Sequence, residues 1–156
     1  MHREIPAVTL AKIETPAPAP KIAALVKAAG SGLLVLGGMA GTYLLEELAA
    51  GARGTMPAAL MPEVYGAIWR AHQAGDAAAA RRIFHRYFPL IRITNQPGLG
   101  PRLVKEILRL AGVIETSYTR GPAPELDDLT RAALLETVHE LGILDIMAGR
   151  TPVRTD

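Results

Sequence analysis

The first third of the chain carries its apolar residues in short unbroken runs, punctuated by glycine and proline. Val8 to Ile13 reads as a strand, and Pro20 to Ala29 as a helix stopped at Gly30. Leu33 to Leu36 reads as a second strand, and Thr42 to Ala50 as its helix, with Gly51 as the C-terminal cap. Gly54 to Ala58 predicts a short third strand. Pro62 then suits a first helical position, and the helix runs to about Ala74 before Gly75. Short apolar strands without polar alternation fit a parallel sheet covered by helices. No strand pattern follows. Asp76 can cap a helix through "AAAARRIFHRYF" that Pro89 should kink or end. Pro101 opens another, closed by Gly112, and a third runs from about Asp127 to Leu141 with Gly142 behind it. The expected class is α/β: three strand-helix units, then helices. Three parallel strands alone leave two raw edges and an incomplete core.

Hydropathy sets one trap. Eighteen uncharged residues separate Lys27 from Glu46, about the minimum for a membrane span, but five of them are glycines. Turn, buried strand and helix start explain the stretch better than a membrane helix. Arg3 and Glu4 lead directly into the first strand, so no signal peptide is expected. Of 156 residues, 49% are hydrophobic but only 4% aromatic, which favours Ala, Leu, Ile and Val packing over disorder. A net charge of +2 without a clustered patch does not call for nucleic acid. The absence of cysteine excludes disulfides and thiolate metal sites, and agrees with a cytoplasmic setting.

Several stretches invite chemistry. Lys12 shares one side of its pleat with Val8, Leu10 and Glu14, near the C-terminal end of the first strand, where α/β folds build their sites. An ordinary lysine, with pKa ~10.4, is protonated and not nucleophilic, but burial can free the amine to attack a carbonyl. Pattern alone favours the plainer alternative, a lysine snorkelling to solvent. "GGMAG", Gly37 to Gly41, lacks the glycine spacing and downstream acid of a dinucleotide fingerprint, so it reads as a tight turn. In "RRIFHRYF", Phe84, Tyr87 and Phe88 share a helical face apart from most of the arginines, the pattern of an amphipathic helix and not of a nucleic-acid surface. His2, His72, His85 and His139 show no metal-binding spacing.

Taken in order, "VTLAKIETP", "LLVLGG", "AAGARGTMPAAL", "HQAGDAAAARRIFHRYFPLIR", "NQPGLGPRLVKEILRLAG" and "HELGIL" resemble the C-terminal half of the dihydrodipicolinate synthase / N-acetylneuraminate lyase family. The resemblance covers nearly the whole chain. It implies part of a (β/α)8 TIM barrel, strands six to eight with their helices, over residues 1–75. A helical extension over 76–145 and a flexible tail over 146–156 would follow. It makes Lys12 the Schiff-base lysine that condenses with pyruvate or another 2-oxo acid, and places Gly38 and Met56 in the substrate pocket. No metal or organic cofactor is implied. The implied partners are a small 2-oxo acid and either the missing N-terminal half of the barrel or further copies in a tetramer.

Departures refine that expectation. Ile13 separates Lys12 from Glu14, where lysine-biosynthetic members carry Lys-Glu or Lys-Asp. Gly37-Gly38-Met39 stands in place of Ser-Gly-Asp, and Asn95-Gln96-Pro97-Gly98 in place of Asn-Pro-x-Pro. These differences favour an aldolase or hydro-lyase over dihydrodipicolinate formation. The family's Thr-Thr-Gly-Glu carboxylate clamp is absent, and none of Tyr43, Tyr65, Tyr87 or Tyr118 matches its proton-relaying tyrosine. The expected protein is therefore a half-barrel inactive alone. The alternative is a non-catalytic helical interaction module, or a remnant of such an enzyme.

Overall fold

A computed structural model describes residues 4–121 and 124–156; the readings at His2 and Arg3 lie outside them. The chain forms two compact units, one ending at Pro57 and the other beginning at Ala58.

In the first unit, β1 (Leu10–Lys12) leads into helix α1 (Pro18–Ala29), and β2 (Leu34–Leu36) into α2 (Leu44–Ala49). The helix α1 starts two residues before the expected Pro20. Prolines are tolerated in a first turn, where the missing N–H has no intrahelical partner anyway. The strands pair in parallel, with Leu10 opposite Leu34, Ala11 opposite Val35 and Lys12 opposite Leu36. Both strands are shorter at their ends than expected, although Thr9 O accepts from Leu34 N–H and Ile13 N–H donates to Leu36 O.

The third strand is reduced to one parallel bridge between Gly37 and Thr55. Gly37 N–H donates to Gly54 O, and Met56 N–H donates to Gly37 O, each at 3.0 Å. Pro57 has no N–H with which to continue the ladder, and Gly54 adopts φ 146°, outside any strand geometry. The direction of the segment is nonetheless parallel, in the order β1, β2, then residues 54–56.

Ile22 of α1, Val35 of β2 and Ala52 form the core of this unit, with Ile13, Leu25, Val26, Leu33 and Ala50 packed against it. The other face of the sheet is uncovered: Leu10 is 46% exposed, Leu34 43% and Met56 42%.

The second unit is helical: α3 (Pro62–Gln73), α4 (Ala77–Thr94), α5 (Gly100–Leu110), α6 (Asp128–Glu140) and α7 (Ile143–Met147). Asp76 caps α4 by accepting from Ala79 N–H at 2.8 Å, and Asp127 does the same for α6 with Thr130 N–H at 2.8 Å. Of the two outcomes expected at Pro89, a kink or an end, the helix does not end there: α4 runs on to Thr94. A proline inside a helix costs about 3 kcal/mol. Leu90 and Ile91, both fully buried just beyond it, offset that at roughly 1.5–3 kcal/mol each. Phe84 and Tyr87 are buried while Arg81 and Arg82 are exposed. The central position of α4, in contact with α3, α5 and α6, explains its length. The chain end lies along it: Tyr87 Oη accepts from Arg154 N–H at 3.1 Å, and Arg82 Nε donates to Thr155 O at 3.3 Å.

Candidate functional site

The site is built at the C-terminal edge of the parallel strands. Lys12 is the last residue of β1, and Gly37 and Gly38 follow β2 directly. The bridge to Thr55 sets Met56 alongside, its amide bonded to Gly37 O. All three residues expected in the pocket therefore sit on one edge, although Met56 adjoins the other two through backbone and not through a recorded side-chain contact.

Lys12 Nζ lies 3.0 Å from Glu14 Oε2, and its side chain is about one-third exposed. Glu14 Oε1 accepts from Met39 N–H at 2.9 Å. Bonding to Lys12 first, and to Met39 second, holds the Glu14 carboxyl below its ordinary pKa, so it is a carboxylate at neutral pH. Gly38 packs against both: a Cβ there would lie 2.8 Å from Lys12 Cε and 2.9 Å from Glu14 Oε1.

The turn that carries Gly38 is strained. Met39 and Ala40 have φ of 51° and 53°, and Gly41 has 77°. A non-glycine residue in this region costs on the order of 1–2 kcal/mol. Local hydrogen bonds offset part of that cost: Thr42 Oγ1 donates to Met39 O at 2.7 Å, and Gly41 N–H to Gly38 O at 2.8 Å. The outcome is a fixed turn that aims the Met39 N–H at Glu14.

Beneath it lies a residue that the sequence reading did not single out. Glu47 of α2 is fully buried, and its Oε1 accepts from Gly38 N–H at 3.4 Å. Its Oε2 has no hydrogen-bond partner among the described residues, and neither has the buried Thr55 Oγ1. Burial, aided by the charge of Glu46 and opposed by the Gly38 hydrogen bond, pushes the Glu47 carboxyl up to about 7. A signal for it existed. Glu47 stands three residues after Leu44 and one before Leu48, so helical spacing puts it on the apolar face. Among the described residues no group of three or more His, Asp or Glu side chains is placed to hold a metal. No helix among them is long and apolar enough to cross a membrane.

Comparison with known proteins adds four findings. Residues 14–141 match the dihydrodipicolinate synthetase family. The chain is 34% identical over 142 residues to L-2-keto-3-deoxyarabonate dehydratase of Azospirillum brasilense, covering 90% of this chain and 46% of that protein. It is 36% identical over 84 residues to 4-hydroxy-tetrahydrodipicolinate synthase of Acidobacterium capsulatum, covering 54% of this chain and 27% of that one. The structure superposes on dihydrodipicolinate synthase of Rhodopseudomonas palustris with a TM-score of 0.78 at 29% identity, over 85% of this chain and 45% of that one. The chain thus spans less than half the length of the curated relatives it matches. The structural relatives are TIM-barrel enzymes, and a two-stranded parallel sheet with mostly helical surroundings is consistent with part of such a barrel.

Proposed function

The chain belongs to the dihydrodipicolinate synthetase family, and from that premise we propose that it is the lysine-bearing part of a Schiff-base lyase acting on pyruvate or another 2-oxo acid. On this reading β1, β2 and the 54–56 segment are strands six to eight of a barrel that extends over residues 1–75. Residues 76–145 form the helical extension and 146–156 its tail. The missing strands come from another segment, the assembled enzyme is a tetramer as the family resemblance implies, and its setting is the cytoplasm.

The observation that carries the reading is the meeting of Lys12, Glu14 and Gly38 at the C-terminal strand edge, on the uncovered face of the sheet. The chemistry follows from those groups. A proton must leave Lys12 Nζ before it can attack, and the Glu14 carboxylate at 3.0 Å is the acceptor within reach. The amine lone pair then adds to C2 of the 2-oxo acid, and loss of water gives a protonated imine. That cation draws electrons from the adjacent bond, so a proton can be lost from C3 to leave an enamine. If C4 bears a hydroxyl, the enamine electrons form a C3–C4 double bond as hydroxide departs and takes up a proton. Hydrolysis of the imine returns Lys12. The protonated imine is itself the electron sink, so no metal or organic cofactor is implied.

Among lyases, a hydro-lyase is better supported than dihydrodipicolinate formation. The dehydratase relative shares most of the chain and the synthase relative about half. Ile13 beside Lys12 and Met39 beside Gly38 also depart from the synthase pattern. The test joins the chain to a polypeptide supplying the first five strands, then adds pyruvate and borohydride. Mass spectrometry should find a reduced adduct on the peptide that contains Lys12, and Lys12→Ala should abolish it. An adduct that survives the substitution removes Lys12 from its role. One observation favours a second reading, a non-catalytic module: the exposed Leu10 and Leu34 could serve association alone.

A further inference from the structure

Glu47 takes no part in the chemistry above, yet it touches the turn on which that chemistry depends. Its carboxyl occupies the place a Cβ at Gly37 would need: all three of its outer atoms, Oε2, Cδ and Oε1, fall inside 3.0 Å of that position. Gly37 is thus a glycine because Glu47 lies beneath it. From Glu47 a line of contacts runs outward. Oε1 accepts from Gly38 N–H, the next amide, Met39 N–H, donates to Glu14 Oε1, and Glu14 Oε2 pairs with Lys12 Nζ.

Resting on the Lys12 reading, we propose that Glu47 is a positioning residue: through the Gly37–Met39 backbone it sets the Glu14 carboxylate and hence the Lys12 amine. The contacts form a single file through a turn already strained at Met39 and Ala40, so removing the support at Gly38 frees the Met39 amide to move. Full burial and an unpartnered Oε2 argue against a packing role. Leu or Met would fill the space without the cost of desolvating a carboxyl. The carboxyl titrates near neutrality through burial, so its charge state can change without denaturing conditions. Glu46 on α2 is the ionisable group whose charge reaches it. The turn at residues 37–42 carries no ionisable side chain, Lys12 at the end of β1 and Glu14 just beyond it lie against Gly38, and Arg53 is exposed.

Two measurements on the full chain test this. Hydrogen–deuterium exchange reads the 37–42 segment, and trace acylation against an internal amine standard reads Lys12 reactivity, neither requiring turnover. In Glu47→Leu, exchange of that segment should rise by up to roughly tenfold, the scale of one lost hydrogen bond, with Lys12 acylation altered several-fold. Gly37→Ala, whose methyl displaces the same carboxyl, should reproduce both effects. Glu47→Gln keeps an acceptor for Gly38 and should leave exchange unchanged. The pH profile of Lys12 acylation in the unaltered chain should carry an inflection near the Glu47 value of about 7, and Glu47→Gln should lack it. Because Glu47→Gln is isosteric, this arm stands even if the Leu and Ala variants do not fold. An inflection that persists in Glu47→Gln, or Lys12 reactivity indifferent to Glu47→Leu, overturns the inference. The two readings fail separately. Acylation that follows Glu47 without any pyruvate adduct keeps the positioning role and removes the Schiff base, whereas an adduct indifferent to Glu47 does the reverse.

Discussion

A methyl group added at Gly38 would sit 2.8 Å from Cε of Lys12, 2.9 Å from Oε1 of Glu14 and 3.1 Å from its Cβ. The backbone φ there is −152°, on the negative side, and crowding by these neighbours demands glycine. Two of the three obstructing atoms are near the ends of flexible side chains, so Gly38→Ala should cost little stability, under about 1 kcal/mol. The Lys12–Glu14 pair, however, must open. We expect imine trapping in the assembled enzyme to fall roughly tenfold or more, because a nucleophile displaced by an ångström loses its alignment. Equal trapping rates would show that the pair has room to shift. The residue scale was only half legible in the sequence. The pleat showed Lys12 and Glu14 on one side, but pattern alone could not separate a reactive lysine from a snorkelling one. Glu47 went unread because two adjacent acids resemble a solvated face, and only the packing of α2 shows which of them is buried.

Glu106 shows what one element asks of another. It is buried on α5, where its Oε1 accepts from Arg109 Nη2 at 3.0 Å on the same helix and from Arg131 Nη1 at 2.8 Å on α6. Bonding to Arg109 first, helped by Ser117 and by the charge of Arg131, holds its carboxyl down at about 2 against burial. The sign follows from that direction. With the folded value depressed, the unfolded chain binds the proton more readily, so the contribution is present above about 4.5 and is lost as the pH falls through about 2. Both arginines are about half exposed, so screening reduces the gain to roughly 2 kcal/mol. Trp69, the only tryptophan, lies on α3 in the same unit and reports its unfolding. By urea denaturation, Glu106→Gln should lose about that amount at neutral pH and almost none near pH ~2. A loss independent of pH would mean that the amide fails for reasons of packing. Elements were the most legible scale, because caps and stops are local: Asp76, Asp127 and Gly30 mark the ends they were read to mark, while Gly51 stands one residue beyond the α2 cap at Ala50. Tertiary context decided what local signals left open: α4 runs on past Pro89 with Leu90 and Ile91 buried, and the 54–58 strand shrank to a bridge because Pro57 offers no ladder hydrogen bond.

At the scale of the molecule, the sheet has one dressed face and one bare one. Ile22, Val35 and Ala52 close the first, while Leu10, Leu34 and Met56 stand open on the second, the side that also carries Lys12. The order of features along the chain is enough to suggest a barrel family from the sequence. No local pattern could supply the carboxylate clamp, because no Thr-Thr pair occurs in this sequence. A parallel sheet bare on one side and unpaired at its edges invites association, and on the proposed reading the natural occupant of that face is the rest of the barrel. Alone, the chain should be catalytically silent: Lys12 is paired with Glu14 and open to water, and the sequence lacks the Thr-Thr-Gly-Glu segment that would grip a substrate carboxylate. Size-exclusion chromatography should show it self-associating. Assayed for dehydration or aldol cleavage of a 2-oxo acid, it should show activity only when mixed with a polypeptide supplying the first five strands, and the mixture should then elute as a defined complex. Comparable activity without that partner would mean that the site is built elsewhere. A soluble monomer with a cooperative melt, indifferent to the partner, would move the balance to a free-standing interaction module, since the bare face would then need no barrel to cover it.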